Sequence, residues 1–451
     1  MFWLRVATLG MGYLAAQTVW ALYNAYLPLF YGQFIASNAL IGLVMIIDNI
    51  ASVTAQPAFA AQSDRTRTRL GRRVPYLLVG MPLAAACFAL IPRAPTLAGL
   101  LAATLLMNLG IAIFTTPNYA LMADITPAGR LGRANGIVNA MGGLGALVAF
   151  FVLNPLYVRN PALPFDATGL LLAAALVLVL VAVPERRLVQ PGLQPEVAGS
   201  PAGPDPAAAD PTGGARGQAR IGADPPAADP PPEGALRLTD LGGVLSAVRA
   251  VLTNPDRRCL YLLLGALFWV AAVNGAQNMF TRYGVEHLGL SPADATFLLG
   301  FFALAFIAGS VPAGLVGDRM GRIPAIRLGA AGILATFVMM MAVGDAGTAR
   351  YVFLFGGICW ALIIINAYPV LLELTPRAQA GTYTGLWNVV IALAGLISPP
   401  LYGAVVDGFG FDAFFWPGIV FLALGLASIL AFRGRETAPA AVPPATGSRA
   451  G

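Results

Sequence analysis

Apolar stretches of roughly twenty residues, the length that crosses a bilayer core, recur along the chain. They lie at about 5–31, 39–61, 74–92, 96–122, 134–157, 167–183, 258–283, 292–316, 324–344, 350–374, 380–404 and 412–432. Each predicts a spanning helix, because in lipid the backbone N–H and carbonyl groups have to be satisfied within their own segment. The first stretch is long and no cleavage site follows it, which predicts a retained helix rather than a removed leader. From Pro184 to about Gly234 the composition turns to Pro, Ala, Gly and Asp without a hydrophobic period, the pattern of a disordered linker. Leu238, Leu241, Val244, Leu245, Val248, Val251 and Leu252 then recur at helical spacing up to Asn254-Pro255, predicting a short amphipathic helix. The expected division is a six-helix bundle over 1–183, that linker over 184–256, a second six-helix bundle over 257–433, and a disordered tail over 434–451.

Composition agrees with an all-α membrane protein. Hydrophobic residues make up 58% of the 451 and charged ones 11%, against about a quarter charged in soluble domains. All 27 basic residues are arginine. With both termini inside, 23 of them fall on the cytoplasmic side and only Arg93, Arg159, Arg282 and Arg350 on the other. That bias follows the positive-inside rule, so the net charge of +6 reports topology rather than nucleic-acid binding. A multi-pass protein of the inner cell membrane is expected. Cys87, Cys259 and Cys359 have no metal-ligand spacing and His287 stands alone, so neither a metal site nor a cofactor is expected.

The two bundles share a repeat. Residues 119–139 and 368–388 align without a gap at an offset of 249, matching Tyr119 with Tyr368, Asp124 with Glu373, Thr126-Pro127 with Thr375-Pro376, Gly136 with Gly385, and Asn139 with Asn388. The same offset carries Trp20 onto Trp269. Ser63-Asp64-Arg65 with Gly71-Arg72-Arg73 is echoed by Gly317-Asp318-Arg319 with Gly321-Arg322. Related halves of spanning helices are a transporter architecture, because substrate sites form where the halves meet.

The paired Asp-Arg…Gly-Arg loops, with six spans on each side of a long loop, resemble the major facilitator superfamily. The first loop is extended, running from Gln56-Pro57 through Ser63-Asp64-Arg65 to Gly71-Arg72-Arg73-Val74-Pro75-Tyr76. With Ala123-Asp124-Ile125-Thr126-Pro127, Arg130 and Arg133, it is similar to the sucrose transporter and glycoside–pentoside–hexuronide cation symporter branch. The resemblance implies twelve transmembrane helices in two pseudo-symmetric bundles, and alternating access. It implies a cytoplasmic gate of charge pairs at Asp64, Arg65, Arg72, Arg73, Asp318, Arg319 and Arg322, with Asp124 and Glu373 as partners for the arginines. Sodium-using members of that branch carry paired aspartates on helix two, whereas this chain has Ser52 and Gln56 there, which favours protons as the coupling ion.

Asp48 is the acid placed well inside a span, in Met45-Ile46-Ile47-Asp48-Asn49, with Ser52 and Gln56 following at i+4 and i+8. A charge at membrane depth costs from about 3 to over 10 kcal/mol, so such a residue either serves a function or is held by neighbouring helices. Its candidate role is proton coupling; the alternative is a structural acid that never titrates. Sugars are neutral, hydroxyl-rich and flat-faced, and their sites need amides, which donate and accept, beside aromatic platforms. Gln17, Trp20, Asn24, Ser52, Gln56, Asn108, Tyr119, Trp269, Asn274, Gln277, Asn278, Trp360, Asn366, Trp387 and Asn388 supply both. Polar residues in bundles also serve helix–helix hydrogen bonding, and for any single residue that use competes. The expected function is a monomeric proton symporter of a disaccharide or glycoside; a sugar uniporter and an efflux pump for amphipathic compounds remain alternatives. The expected partners are a small-molecule sugar and the lipid bilayer, with no nucleic acid. An enzyme is not expected, since no nucleophile or metal constellation lies at membrane depth.

Overall fold

The computed structural model describes residues 2–127, 130–185, 248–249, 251–254, 256–375 and 379–432, without the side chains of residues 47–54, 57 and 380. The tail over 434–451 lies outside the described residues, as does the linker over 184–256 apart from a few positions at its ends. Of the amphipathic helix expected there, Val248, Arg249 and residues 251–253 are described, and they are helical.

The described chain is helical almost throughout. Its first half contains α1 (Phe2–Gly32), α2 (Asn38–Val44), α3 (Ile47–Arg65), α4 (Val74–Leu90), α5 (Leu97–Ile125), α6 (Leu131–Leu147) and α7 (Leu163–Ala182). The second contains α8 (Arg258–Glu286), α9 (Pro292–Met320), α10 (Arg322–Met341), α11 (Ala346–Glu373), α12 (Ala380–Phe409) and α13 (Trp416–Ala431). Among the described residues ten helices are long and apolar enough to cross a membrane. The remaining two expected crossings are α1 and the segment formed by α2 and α3.

Two expected helices are not regular. The second span breaks at Met45–Ile46, where α2 ends and α3 begins. The fifth leaves α-geometry after Leu147, passing through a π-helical turn at Val148–Leu153 into a 3-10 turn at Asn154–Val158. Hydropathy reports only that a segment is apolar, so it cannot register either change of winding.

Helix starts follow their caps. Ser37, Thr96, Ser291 and Asp345 accept backbone N–H bonds at the first turns of α2, α5, α9 and α11. Gly321, at φ +92°, turns the chain directly from α9 into α10. Within the first half α1 packs on α5, α6 and α7, and α4 on α5 and α7; within the second α11 packs on α9 and α10, and α8 on α12 and α13. The halves meet along α1–α8, α2–α12 and α6–α9. Small residues permit the closest approaches: a Cβ at Gly145 would overlap the Leu14 carbonyl, and Thr18 Oγ1 donates to Gly145 O at 3.0 Å.

Candidate functional site: a neutral cavity between the halves

On α1, Gln17, Trp20, Ala21, Asn24 and Ala25 fall at helical spacing and line one cavity of about 280 Å³. Ala146 of α6 and Phe150 of the π turn complete the first half's wall. The second half supplies Gln277 from α8, Leu299, Phe302, Ala303 and Phe306 from α9, and Trp360 from α11. The volume lies near the lower end of the about 300–1,000 Å³ typical of ligand pockets. Its polar groups are three amides and two indole N–H groups, and no charged side chain lines it. Such a surface can hydrogen-bond a neutral solute and cover a flat ring, but it offers no countercharge to an ion.

The structure brings Gln17, Trp20, Asn24, Gln277 and Trp360 together and puts other expected substrate residues elsewhere. Asn108 is buried and donates to Thr104 O at 3.1 Å. Asn366 is buried and donates to Ala313 O and Leu362 O, tying α11 to α9. Asn278 donates to Asn274 Oδ1 at 2.6 Å along α8. Trp269, the repeat partner of Trp20, is buried between Gly265 and Gly425, so Trp360 supplies the second half's indole instead. Backbones of a repeat superpose more readily than side-chain directions, which follow whichever neighbour leaves room. Gln56 lies on α3 outside the cavity lining, and the side chains of Ser52 and Asp48 lie outside the described residues. The backbone places Asp48 in the first turn of α3, just past the break.

Nearer the arginine-rich end, Tyr119 donates to Asn135 Oδ1, and Asn139 Nδ2 donates to the Tyr119 hydroxyl at 3.0 Å. The repeat reproduces this bond in the other half as Tyr368 with Thr384 at 2.9 Å, again sixteen residues apart. Trp387 packs on Tyr368, while Asn388 is exposed.

Charge pairs at the same end stay within each half. Arg73, nearly buried, pairs with Asp64 and with Asp124 at 3.2 Å and donates to Ser63 Oγ. Arg72 reaches Asp124 at 2.7 Å. In the repeat register Arg322 pairs with Glu373 at 3.3 Å, so Arg73–Asp124 and Arg322–Glu373 are the same contact made twice. Arg65, Asp318 and Arg319 are exposed at these helix ends and make no ion pair among the described residues. Glu185, which the sequence did not single out, accepts the backbone N–H groups of Arg72, Arg73 and Val74 at 2.8–3.1 Å. Its carboxylate caps α4 and fits against Gly71, whose φ is +119°.

Five hydrogen bonds between described residues join the halves at the arginine-poor end. Asp407 of α12 accepts from Ser37 Oγ at 2.6 Å, from Asn38 N at 2.7 Å and Nδ2 at 2.8 Å, and from Ala39 N at 2.9 Å, capping α2 from the opposite half. Buried Asn154 accepts from Tyr26 and donates to Ala293 O at the start of α9. Gly42 and Gly403 let α2 and α12 touch backbone to backbone, against the carbonyls of Pro399 and Asn38. The cavity is therefore closed at this end, while the ion pairs described at the other end each lie within one half.

The comparisons with known proteins agree with this geometry. A bacterial homologue of the human lysosomal transporter Spinster, in an inward-facing and unoccupied conformation, superposes with a TM-score of 0.65 at 14% identity, over 96% of this chain and 99% of that one. A nucleoside transporter, NupG, gives a TM-score of 0.66 at 12% identity over 94% and 98%. A POT family transporter in complex with 5-aminolevulinic acid gives 0.64 at 14% over 94% and 95%. In sequence, the tetracenomycin C resistance and export protein of Streptomyces glaucescens is 26% identical over 149 residues, 32% of this chain and 27% of that protein. The Major Facilitator Superfamily pattern matches residues 9–399 and, overlapping them, 286–450. Two repeated halves, a cavity at their junction and a match across most of the length place this chain in the Major Facilitator Superfamily, as a multi-pass membrane transporter.

Proposed function

We infer that the protein carries a neutral glycoside across the inner cell membrane by alternating access, coupled to protons. The observation that carries this reading is the uncharged cavity in which Gln17, Asn24 and Gln277 stand beside Trp20 and Trp360. Amides suit sugar hydroxyls and indoles suit ring faces, while Phe150, Leu299, Phe302 and Phe306 suit an apolar aglycone better than a second free sugar. The arginine asymmetry supports both termini on the cytoplasmic side, which makes the described state open inward. The resemblance to the sucrose and glycoside symporters supports the substrate class.

Asp48 is the proposed coupling acid, with protons favoured over sodium because Ser52 and Gln56 replace the second carboxylate. Uptake of a small glycoside panel into vesicles, with and without a pH gradient, tests the reading. Accumulation should fall when the gradient is collapsed, and Asp48→Asn should keep exchange while losing accumulation. Full-rate accumulation without a gradient would refute the coupling. A second reading, export of an amphipathic compound, is supported by the large apolar side chains Phe150, Leu299, Phe302 and Phe306 of the cavity and by the partial similarity to an export protein. Substrate extrusion from energised vesicles, rather than uptake, would select it.

A further inference from the structure

Beside the main cavity lies a second, smaller one of about 30 Å³, lined by residues of the second half. The two share Gln277, Leu299 and Phe302, so the side chain that ends the amide row also stands at the mouth of this pocket. Its wall exposes no polar surface. Thr336, its hydroxyl-bearing lining residue, donates to Gly332 O at 2.9 Å within its own helix. The rings around it meet edge to face: Phe280 with Phe353 at 4.8 Å and 83°, Phe302 with Phe353 at 6.5 Å and 89°, Phe337 with Phe415 at 5.6 Å and 83°. The gap of about 30 Å³ lies among these contacting rings and the side chains of Val273, Leu299, Ile333 and Met340. A dry gap of this kind gives a water molecule no hydrogen-bond partner, so it favours an apolar occupant.

We propose that this pocket is an aglycone subsite, taking a short alkyl substituent whose sugar ring lies in the main cavity against Gln17, Asn24 and Gln277. The proposal rests on the glycoside reading above. A water-sized group needs about 10–15 Å³ on this measure, so the pocket has room for about two or three carbons. In this arrangement the substituent enters beside the three side chains that line both compartments, Gln277, Leu299 and Phe302.

The test is a homologous series. Methyl, ethyl, propyl, butyl and hexyl glycosides, on whichever ring of a glucose, galactose and xylose panel binds, are titrated against the purified full-length carrier in lipid nanodiscs. Tryptophan fluorescence reports occupancy, since Trp20 and Trp360 line the main cavity. Affinity should rise about fourfold per methylene over the first two or three added carbons and then level off. Ala276→Leu, which adds bulk to the pocket wall, should collapse the butyl-to-methyl affinity ratio; Met340→Ala, which enlarges it, should raise the hexyl-to-butyl ratio. A flat series on a ring that does bind, or a rise through hexyl without a plateau in both variants, overturns the subsite and leaves the glycoside reading standing. Failure of every methyl glycoside in the panel to bind overturns the glycoside reading, and the subsite falls with it.

Discussion

Replacing Asp407 with alanine should open the protein at its arginine-poor end. The carboxylate accepts four hydrogen bonds, two of them from backbone N–H groups in the first turn of a seven-residue helix of the other half. Removing a side-chain cap costs about 0.5–2 kcal/mol, and a hydrogen bond to a charged group contributes about 1.5–3 kcal/mol net of water. Asn38 is buried but Ser37 and Ala39 are partly exposed, so the lower end of these ranges applies. When the halves part, the same donors meet water and nothing is lost there. The variant therefore weakens only the closed arrangement, by about 2 kcal/mol, a population shift of about 30-fold at 1.36 kcal/mol per decade. The assay replaces Cys87, Cys259 and Cys359, puts a single reporter cysteine at Asn24 in the cavity, and adds an impermeant maleimide from the side the proposed topology makes external. Labelling should speed up by about 30-fold in Asp407→Ala and by less in Asp407→Asn, which keeps one acceptor oxygen. A rate within twofold of the parent in both variants would show that this cap does not hold the end shut.

Three further outcomes follow from the same geometry. Arg73→Ala should lower thermal stability in detergent far more than Arg322→Ala, although the two are repeat equivalents. The first removes a buried guanidinium with its bonds to Ser63, Asp64 and Asp124, at about 1.5–3 kcal/mol because Arg72 still pairs with Asp124 and Asp64 is exposed, and the second breaks a largely exposed pair at about 1 kcal/mol or less; equal melting shifts would contradict this. Gly71→Ala should destabilise by about 1–3 kcal/mol or more, since a Cβ would be strained at φ +119° and would overlap the Glu185 carboxylate, and an unchanged melting temperature would rule that out. Trp360→Ala should weaken substrate binding about tenfold, with Trp360→Phe retaining most of it, whereas Asn366→Ala should cost stability and leave the dissociation constant near that of the parent.

The fold was legible because hydropathy, arginine placement and the 249-residue repeat are each written along the chain without reference to contacts. The repeat even carried contact information: with Asp124 matched to Glu373, their partners Arg73 and Arg322 fall in the same register, as do the bonds from Tyr119 and Tyr368. The site was legible only in part. Gln17, Trp20 and Asn24 were readable because one helix face of α1 carries them all at helical spacing, a local property. Phe302 and Phe306 carry no such signal, because a phenylalanine in an apolar span has no mark distinguishing cavity from core. Asp407 is silent in the sequence for a different reason: it closes a contact with Ser37 across 370 positions, and neither segment looks unusual alone.

These misses share a cause that bears on mechanism. A transporter built from two like halves has to break their symmetry wherever it does something directional. The symmetric contacts found here, the arginine–carboxylate pairs and the tyrosine bonds, stay inside each half. The asymmetric ones cross the junction: the Asp407 cap on α2, the Asn154 tie to α9, and an indole drawn from α1 on one side but α11 on the other. Internal similarity in the sequence reports the rigid bodies, and it is silent about the surfaces that move against each other. Residues that set closure and selectivity are therefore to be sought where the repeat fails, at positions such as Asp407 and Trp360 whose counterparts 249 residues earlier are Val158 and Ile111.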